Sequence, residues 1–323
     1  ARMQGPTRAG RPLHLDEDTQ GMTRYVIRRL LQAIPLLFVI SLILFVLMRN
    51  TGDPLATLGG RHLPRPEDRA RLSRQLGLDQ PLMMQYLYWL IGNDWTKVDM
   101  DGDGVAETSG ARRGVLRGEF GTSLVTRGQP VLTIIWERLP NTLLLMVVAE
   151  ALIIGLSVAI GAYSALHQYS IADHLITGLS FVGYSMPIFF IALASMYLFG
   201  VQFKQWGLPY LPTVGMFDPQ VGKTAGQVAS HMILPLTSMS VVSIAGYSRY
   251  VRATMLEVIG EDYIRTARAK GLRRRTIVYL HALKNASLPL VTIVGLELPL
   301  LLGGAVVTEK IFAWPGMGRL FLD

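Results

Sequence analysis

Long hydrophobic stretches separated by polar and charged segments dominate the chain. Five stretches carry few or no charged residues, and each approaches or exceeds the roughly 20 helical residues that cross a hydrocarbon core about 30 Å thick. They are residues 30–48, 139–166, 175–203, 229–248 and 286–308. Because no stretch alternates apolar and polar residues as a barrel strand does, each one is predicted to be a helix. The pattern predicts an all-α, polytopic membrane protein with five spans.

Composition agrees with this prediction, since 50% of the 323 residues are hydrophobic and only 17% are charged. The chain has no cysteine. That absence excludes disulfides, thiol catalysis and metal ligation by cysteine.

The net charge of +8 is concentrated beside the hydrophobic segments. Three arginines precede the first segment, and the loop between the fourth and fifth is also strongly basic. The basic residues of that loop region are Arg249, Arg252, Arg265, Arg268, Lys270, Arg273, Arg274, Arg275 and Lys284. Short basic loops stay in the cytoplasm, so this loop and the N-terminus are predicted to be cytoplasmic. The loop 49–138 is long, and long loops cross the membrane largely regardless of charge, so it is predicted to be external.

The chain divides into four regions on this pattern. The N-terminus does not have the pattern of a signal peptide, because the apolar run from Leu30 is too long. Residues 1–21 are interpreted as an N-terminal extension or tag before Met22. Residues 22–48 form the first span, 49–138 the external loop and 139–323 the remaining membrane core. Within the external loop, MMQYLYWLIG predicts an amphipathic helix that suits a membrane surface.

The cytoplasmic loop 257–285 has the features of a docking projection. Its first half, EVIGEDYIRTARAKGL, predicts a helix that ends at Gly271, because glycine is common just past a helix C-terminus. Tyr263, Ala267 and Lys270 would share one face of that helix. The second half, RRRTIVYLHALKN, predicts another short helix, with Ile277, Leu280 and Leu283 on its apolar side.

This loop resembles the EAA loop of ABC importer permeases, in the form found in the oligopeptide, dipeptide and nickel branch. Its core is DYIRTARAKG, residues 262–271. Further stretches similar to that branch follow in the same order as in the family. They are YVIRRLLQAIPLLFVISLILFVLMRNTGDPL, LGLDQPLMMQYLYWL, GEFGTSL, ERLPNTLLL, SMPIFF and GGAVVTEKIFAWPGMGRL. The resemblance covers nearly the whole chain from Met22.

The resemblance implies a type I ABC importer permease fold and a role as half of a translocation pathway for peptides or nickel. Residues 261–271 would be the coupling helix that docks in a cleft of an ATPase subunit. The implied coupling residues are Asp262, Tyr263, Arg265, Thr266, Ala267, Lys270 and Gly271. The implied partners are a related second permease, two ATPase subunits that bind ATP, and an extracytoplasmic substrate-binding protein, in a bacterial or archaeal plasma membrane.

The chain also departs from the family in several places. Arg265, Thr266 and Ala267 occupy the positions of the general Glu-Ala-Ala pattern, as is common in the peptide branch. The family also has a sixth span, which would follow Asp323. The external insertion around Asp99 is longer than the resemblance leads us to expect.

Two carboxylates lie inside the predicted spans, Glu150 in the second and Glu297 in the fifth. A carboxylate in a span is costly unless it is paired, protonated or in contact with water. One interpretation places both on the translocation pathway, where they could receive a cation such as a peptide amino terminus. The other has them bonded to a neighbouring helix or subunit. Glu297 is the stronger pathway candidate because glycines and Pro299 surround it.

An Asp/Gly-rich stretch in the external loop resembles a calcium-binding loop. Asp99, Asp101 and Asp103 alternate before Gly104, as hard oxygen ligands do when they converge on Ca²⁺. Gly110 occupies the position of the final glutamate, and Glu107 is the nearest substitute. Calcium binding and a solvated Asp-Gly turn both remain open for this stretch.

Other functional classes fit the sequence less well. Val221-Gly222-Lys223-Thr224 lacks the first glycine of a phosphate-binding loop, so no ATP site is predicted in this chain and it is predicted not to be an enzyme. The histidines have no metal-ligand spacing, which disfavours an intramembrane enzyme. A secondary active transporter that uses its intramembrane carboxylates is the alternative, although five spans are too few for two repeats.

Overall fold

The computed structural model describes residues 15–50, 52, 66–75, 77–99, 108–110, 113–123, 126 and 128–322. The chain forms two compact units, Ala1–Leu132 and Thr133–Asp323.

The first unit contains the first hydrophobic helix and part of the predicted external loop. Its helices are α1 (Leu15–Asn50), α2 (Pro66–Gln75) and α3 (Leu82–Ile91), followed by a 3₁₀ turn at Val115–Arg117. Strands β1 (Lys97–Val98) and β2 (Thr108–Ser109) form a short antiparallel pair between them. The predicted amphipathic helix is therefore present as α3.

The aromatic face of α3 packs against α1. Tyr86 is 1% exposed, and its ring meets Phe38 and Phe45 edge-on at centroid distances of 5.7 and 5.5 Å. Its hydroxyl shares a 2.7 Å hydrogen bond with the Ser41 hydroxyl. A buried tyrosine needs a polar partner for its hydroxyl, and Ser41 supplies it. Within this unit, α1 thus covers the aromatic face of α3 that the sequence predicted for a membrane surface.

In the described part of the second unit, all regular secondary structure is helical. Its elements are α4 (Val131–Leu166), α5 (Ile171–Ser185), α6 (Ile188–Ser195), a π-helical turn (Met196–Gln202), α7 (Phe203–Gln205), α8 (Ala225–Gly260), α9 (Asp262–Ala269), α10 (Arg274–Thr276), a second π-helical turn (Ile277–Leu283), α11 (Lys284–Ala286), α12 (Leu288–Ile311) and α13 (Met317–Leu322). Helix α4 begins two residues before this unit.

Among the described residues, five helical segments are long and apolar enough to cross a membrane. They are Met22–Asn50, Val131–Leu166, Ile188–Gln205, Ala225–Gly260 and Arg274–Ile311. Each one overlaps a predicted span. The all-α prediction with five spans is confirmed, with helices that extend beyond the hydrophobic stretches.

Proline affects two of these segments differently. The third predicted span is interrupted at Pro187, since α5 ends at Ser185 and α6 begins at Ile188. Pro187 has no backbone N–H to continue α5 and instead starts the next helix. Helix α8, by contrast, continues through Pro235 without a break.

Helix α8 is the centre of the second unit, and 44% of its most hydrophobic window is buried. On one side, Gly161 of α4 lies directly against the Ser248 carbonyl and Val251, leaving no room for a side chain. On another, Gly183 of α5 lies against Val241. Small residues at such positions let membrane helices approach one another closely.

Candidate functional site

The predicted coupling helix is present as α9, Asp262–Ala269. It ends as predicted at Gly271, which has a left-handed φ of 76°. The Gly271 N–H donates to the Arg268 carbonyl at 3.0 Å, and the Leu272 N–H donates to the Ala267 carbonyl at 3.3 Å. This pair of bonds is a Schellman motif, which satisfies carbonyls that the helix end would otherwise leave free.

The face of α9 that points inward differs from the prediction. Ile264 is fully buried and Ala267 is 7% exposed, and both join the core cluster that contains Met255 and Ile277. Residues three apart lie on one side of a helix, so the apolar Ile264 sets the buried face and Ala267 follows it. The expected outward face of Tyr263, Ala267 and Lys270 is therefore corrected, because Ala267 packs against its own chain.

The exposed surface of α9 carries the other predicted coupling residues. These are Asp262, Tyr263, Arg265, Thr266, Lys270 and Gly271. Arg265 and Asp262 form an exposed ion pair at 3.2 Å. The Tyr263 hydroxyl accepts a 3.1 Å hydrogen bond from Asn285 Nδ2, which links the two halves of the loop. With Arg268 and Arg273–Arg275 also exposed, this "α9 surface" is polar and mainly basic.

The second half of the loop packs against the buried side of α9. Its predicted helix is present, but the π-helical turn Ile277–Leu283 changes which side chains face inward. Ile277, Val278 and Ala282 are buried, whereas Leu280 is 58% exposed. A wider turn shifts the spacing of the apolar side by one residue, which the ordinary helical period did not predict.

The two carboxylates of the predicted spans come together in the structure. Glu150 on α4 and Glu297 on α12 lie within electrostatic range of each other and of the Tyr247 hydroxyl on α8. Tyr247 is 4% exposed. Glu150 Oε1 is buried without a hydrogen-bond partner among the described residues. We call Glu150, Tyr247 and Glu297 the carboxylate cluster; sequence reasoning missed its tyrosine, which lies near the end of the fourth predicted span.

Glu309, at the end of α12, is a buried carboxylate that was not singled out from the sequence. It is fully buried, accepts a 2.6 Å hydrogen bond from the Thr142 hydroxyl and a 3.0 Å bond from the Arg319 backbone N–H. Gly316 leaves space for it, since a Cβ there would overlap the carboxylate. The signal in the sequence was a glutamate at the end of a hydrophobic segment, six residues before the turn-forming Pro315-Gly316.

An ion pair between Asp173 of α5 and Arg252 of α8 was also missed. Arg252 Nη2 lies 2.7 Å from Asp173 Oδ2, and Asp173 is 3% exposed. The hydrogen bond from Arg252 lowers the pKa of the Asp173 carboxyl well below its usual value. The signal available in the sequence was an isolated aspartate next to the short turn between two hydrophobic segments.

The candidate calcium ligands receive no structural test. Asp101, Asp103 and Glu107 lie outside the described residues, and Asp99 is described and half-buried. In the described part of the chain, no group of three or more acidic or histidine side chains is arranged to hold a metal ion. Calcium binding stays a prediction.

Family comparison decides among the functional classes. The model of the family described as "Binding-protein-dependent transport system inner membrane component" matches residues 157–323. The corresponding N-terminal model, "Binding-prot-dependent transport system membrane comp, N-term", matches residues 22–146. The chain belongs to this family. Both halves of the sequence resemblance are thereby confirmed.

Curated relatives extend the match along almost the whole chain. The oligopeptide transport system permease protein AppB of Bacillus subtilis (strain 168) is 38% identical over 303 residues. The dipeptide transport system permease protein DppB of Escherichia coli (strain K12) is 35% identical over 322 residues. In both cases the match covers 94% of this chain and 87% of the relative. The chain is thus an ABC importer permease with a multi-pass helical fold, and the comparisons give no support to a secondary transporter.

One solved structure also resembles this chain. It is titled "Crystal structure of an amino acid ABC transporter with histidines", with a TM-score of 0.40 and 15% sequence identity. The match covers 58% of this chain and 76% of that one.

Proposed function

We propose that this permease transports peptides and that α9 is its coupling helix to an ATPase subunit. The observation that carries the substrate class is the 35–38% identity, over 94% of the chain, to permeases named for oligopeptides and dipeptides. Nickel, which the family resemblance also allowed, is the alternative substrate that transport assays with the cognate binding protein would distinguish.

The shape and charge of the α9 surface support the coupling role. A short helix anchored by Ile264 and closed by Gly271 projects polar side chains away from the core. A basic, exposed rim favours a partner whose cleft is lined with acidic groups, because charge complementarity sets orientation and encounter rate. In this arrangement α9 and the N-terminus are cytoplasmic, and ATP is bound by two partner subunits while this chain catalyses no reaction.

The carboxylate cluster is the candidate pathway site. Intramembrane carboxylates are retained where they face a partner, a cation or water. Glu297 lies in the apolar segment Arg274–Ile311, whose most hydrophobic window is only 12% buried in this subunit. A second, related permease would cover α12 and complete the pathway, and the α-ammonium group of a peptide would be the cation that the cluster receives. Alternating access driven by the ATPases would open the pathway to the two sides in turn.

Cysteine cross-linking tests the coupling role. The chain has no native cysteine, so Thr266→Cys on the exposed side of α9 gives a single reactive thiol. We expect it to cross-link to the co-expressed ATPase subunit in native membranes. Ala267→Cys is the matched control, since the neighbouring side chain is 7% exposed and should react much less. Equal labelling of both, or failure of Thr266→Cys to cross-link although the ATPase copurifies, would contradict the docking role of this surface.

A candidate calcium site in the external loop is a separate proposal, carried by the alternating Asp99, Asp101 and Asp103. Calcium should raise the thermal stability of the purified permease at millimolar concentration or below, since sites of this type bind in about that range or tighter. Asp101→Asn with Asp103→Asn should abolish the rise. The same rise in the double variant would show that the loop does not bind the ion.

A further inference from the structure

The ion pair between Asp173 and Arg252 is held by two parallel hydrogen bonds. Arg252 Nε donates to Asp173 Oδ1 at 2.8 Å, and Nη2 donates to Oδ2 at 2.7 Å. This two-point geometry fixes the orientation of both side chains as well as their distance. The contact joins α5 to α8 at the end of the unit that carries α9.

The same carboxylate also organises the turn between α4 and α5. It accepts hydrogen bonds from the Ser164 hydroxyl on α4 and from the Tyr169 backbone N–H at 3.0 Å. The Tyr169 backbone has a left-handed φ of 63°, which few residues with a side chain adopt. Ser170 then caps α5 by accepting the Asp173 N–H at 3.1 Å. Asp173 is therefore the common acceptor for α4, the turn and α8, and we call these contacts the clasp.

Contacts further along α5 and α8 support the clasp. One turn before Arg252, the Arg249 guanidinium stacks over the Phe181 and Tyr184 rings of α5 at 4.8 and 4.9 Å. Residues three apart share one side of a helix, so both arginines of α8 reach toward α5. The two helices are thus connected over several turns.

The clasp lies close to α9 along the chain and in the core. Helix α8 ends at Gly260, and α9 begins at Asp262 after a single extended residue. Met255 of α8 and Ile264 of α9 are both fully buried and belong to one core cluster. If α9 is displaced, the C-terminal end of α8, which contains Arg252, should therefore move with it.

We propose that Asp173 and Arg252 are a positioning pair that makes the α4–α5 turn move with α8 when an ATPase subunit displaces α9. Because α4 also carries Glu150, the clasp would carry this movement to the carboxylate cluster. The proposal rests on the proposed coupling role of α9. In this role the pair acts through the helices that it joins.

The charge state of the pair suits a permanent connection. Arg252 and the two other donors lower the pKa of Asp173, so the carboxyl stays ionised throughout the neutral range. The clasp therefore does not act as a pH switch.

The test compares transport with ATP hydrolysis in proteoliposomes that contain the complete transporter and its peptide-loaded binding protein. Asp173→Asn removes the charge with little change in shape. We expect peptide transported per ATP hydrolysed to fall about tenfold, within the range typical of coupling between sites, with basal ATP hydrolysis changed less than about twofold. His174→Asn is the matched control, because that exposed side chain lies in the same turn and bonds only to its own helix, so the ratio should not change.

A second variant separates positioning from folding. Removing one partner of a buried pair leaves an unpaired charge, whereas removing both is tolerated better. Asp173→Asn with Arg252→Met should therefore restore stability and assembly without restoring the ratio of transport to hydrolysis. Recovery of normal coupling in this double variant would overturn the proposal, as would failure of both variants to accumulate, because the pair would then serve folding alone.

Cross-linking through Thr266→Cys in each background distinguishes the two proposals. Normal cross-linking with reduced coupling supports the clasp. Normal cross-linking with unchanged coupling overturns the clasp and leaves the role of α9 intact. If the otherwise native chain does not cross-link while the complex assembles, the coupling role of α9 fails, and the clasp loses its function with it.

Discussion

At the scale of single residues, the carboxylates of this permease have different surroundings. Glu309 has donors for both of its oxygens, whereas Glu150 has a buried oxygen without a hydrogen-bond partner among the described residues. A carboxylate whose two oxygens both accept hydrogen bonds from its own chain stabilises the fold. A carboxylate in a span that lacks such a donor indicates that a cation, water or a partner subunit supplies the missing interaction. That contrast favours the carboxylate cluster over Glu309 as the place where a cation binds.

Replacing Glu297 by glutamine tests this role. The change keeps the size of the side chain and removes its charge, so peptide transport should fall by about tenfold, as expected when a charge-assisted hydrogen bond worth about 1.5 kcal/mol or more is lost. Uptake of labelled peptide measures the loss, and copurification of the ATPase should be unchanged. Glu137→Gln, at an exposed carboxylate of α4, is the control. Normal uptake of several peptides by Glu297→Gln would remove Glu297 from the pathway.

At the scale of elements, local chemistry determined where α9 stops but not which way it faces. The stop depends on Gly271 and its two backbone bonds, all within a few residues, so the sequence predicted it. The orientation of α9 depends on the core into which Ile264 packs. Ala267 lies at helical spacing both from Tyr263 and from Ile264, so spacing alone did not show which of these faces is buried. The Asp173–Arg252 contact spans 79 residues, and no local pattern could have predicted it.

Gly271→Val should destabilise the C-terminal end of α9. A Cβ there meets no neighbouring atom, so the cost comes from the left-handed backbone alone, about 1–3 kcal/mol for a strained residue. We expect the last turn of α9 to fray and ATPase affinity to fall by about tenfold, as about 1.4 kcal/mol would cause. Titration of the ATPase onto the permease in nanodiscs measures this loss.

Gly271→Asn is the comparison, because asparagine tolerates this backbone conformation better than valine. It should bind the ATPase nearly as well as the native chain. Equal binding by all three proteins would show that the end of α9 does not contribute to docking.

At the scale of the whole molecule, hydropathy was sufficient to predict the number of spans, whereas the family followed from motifs such as DYIRTARAKG. Length and composition alone identify a membrane helix, because lipid demands about 20 apolar residues with internal hydrogen bonds. They say little about which spans meet. Helix α8 is central because glycines of α4 and α5 let those helices approach it closely, and that arrangement depends on contacts between segments far apart in sequence.

The Glu309 contacts have a consequence for the order of synthesis. Thr142 and Glu309 are separated by 167 positions, so the start of α4 leaves the ribosome long before its partner does. Trp314 and Pro315 contact Asn141 from the same late segment. During insertion, the Asn141 and Thr142 side chains at the beginning of α4 therefore lack these partners until α12 and the residues after it have been synthesised. Until then we expect them to be hydrated or to contact lipid headgroups. The contacts that hold the start of α4 therefore form only after most of this sequence, through Pro315, has been synthesised.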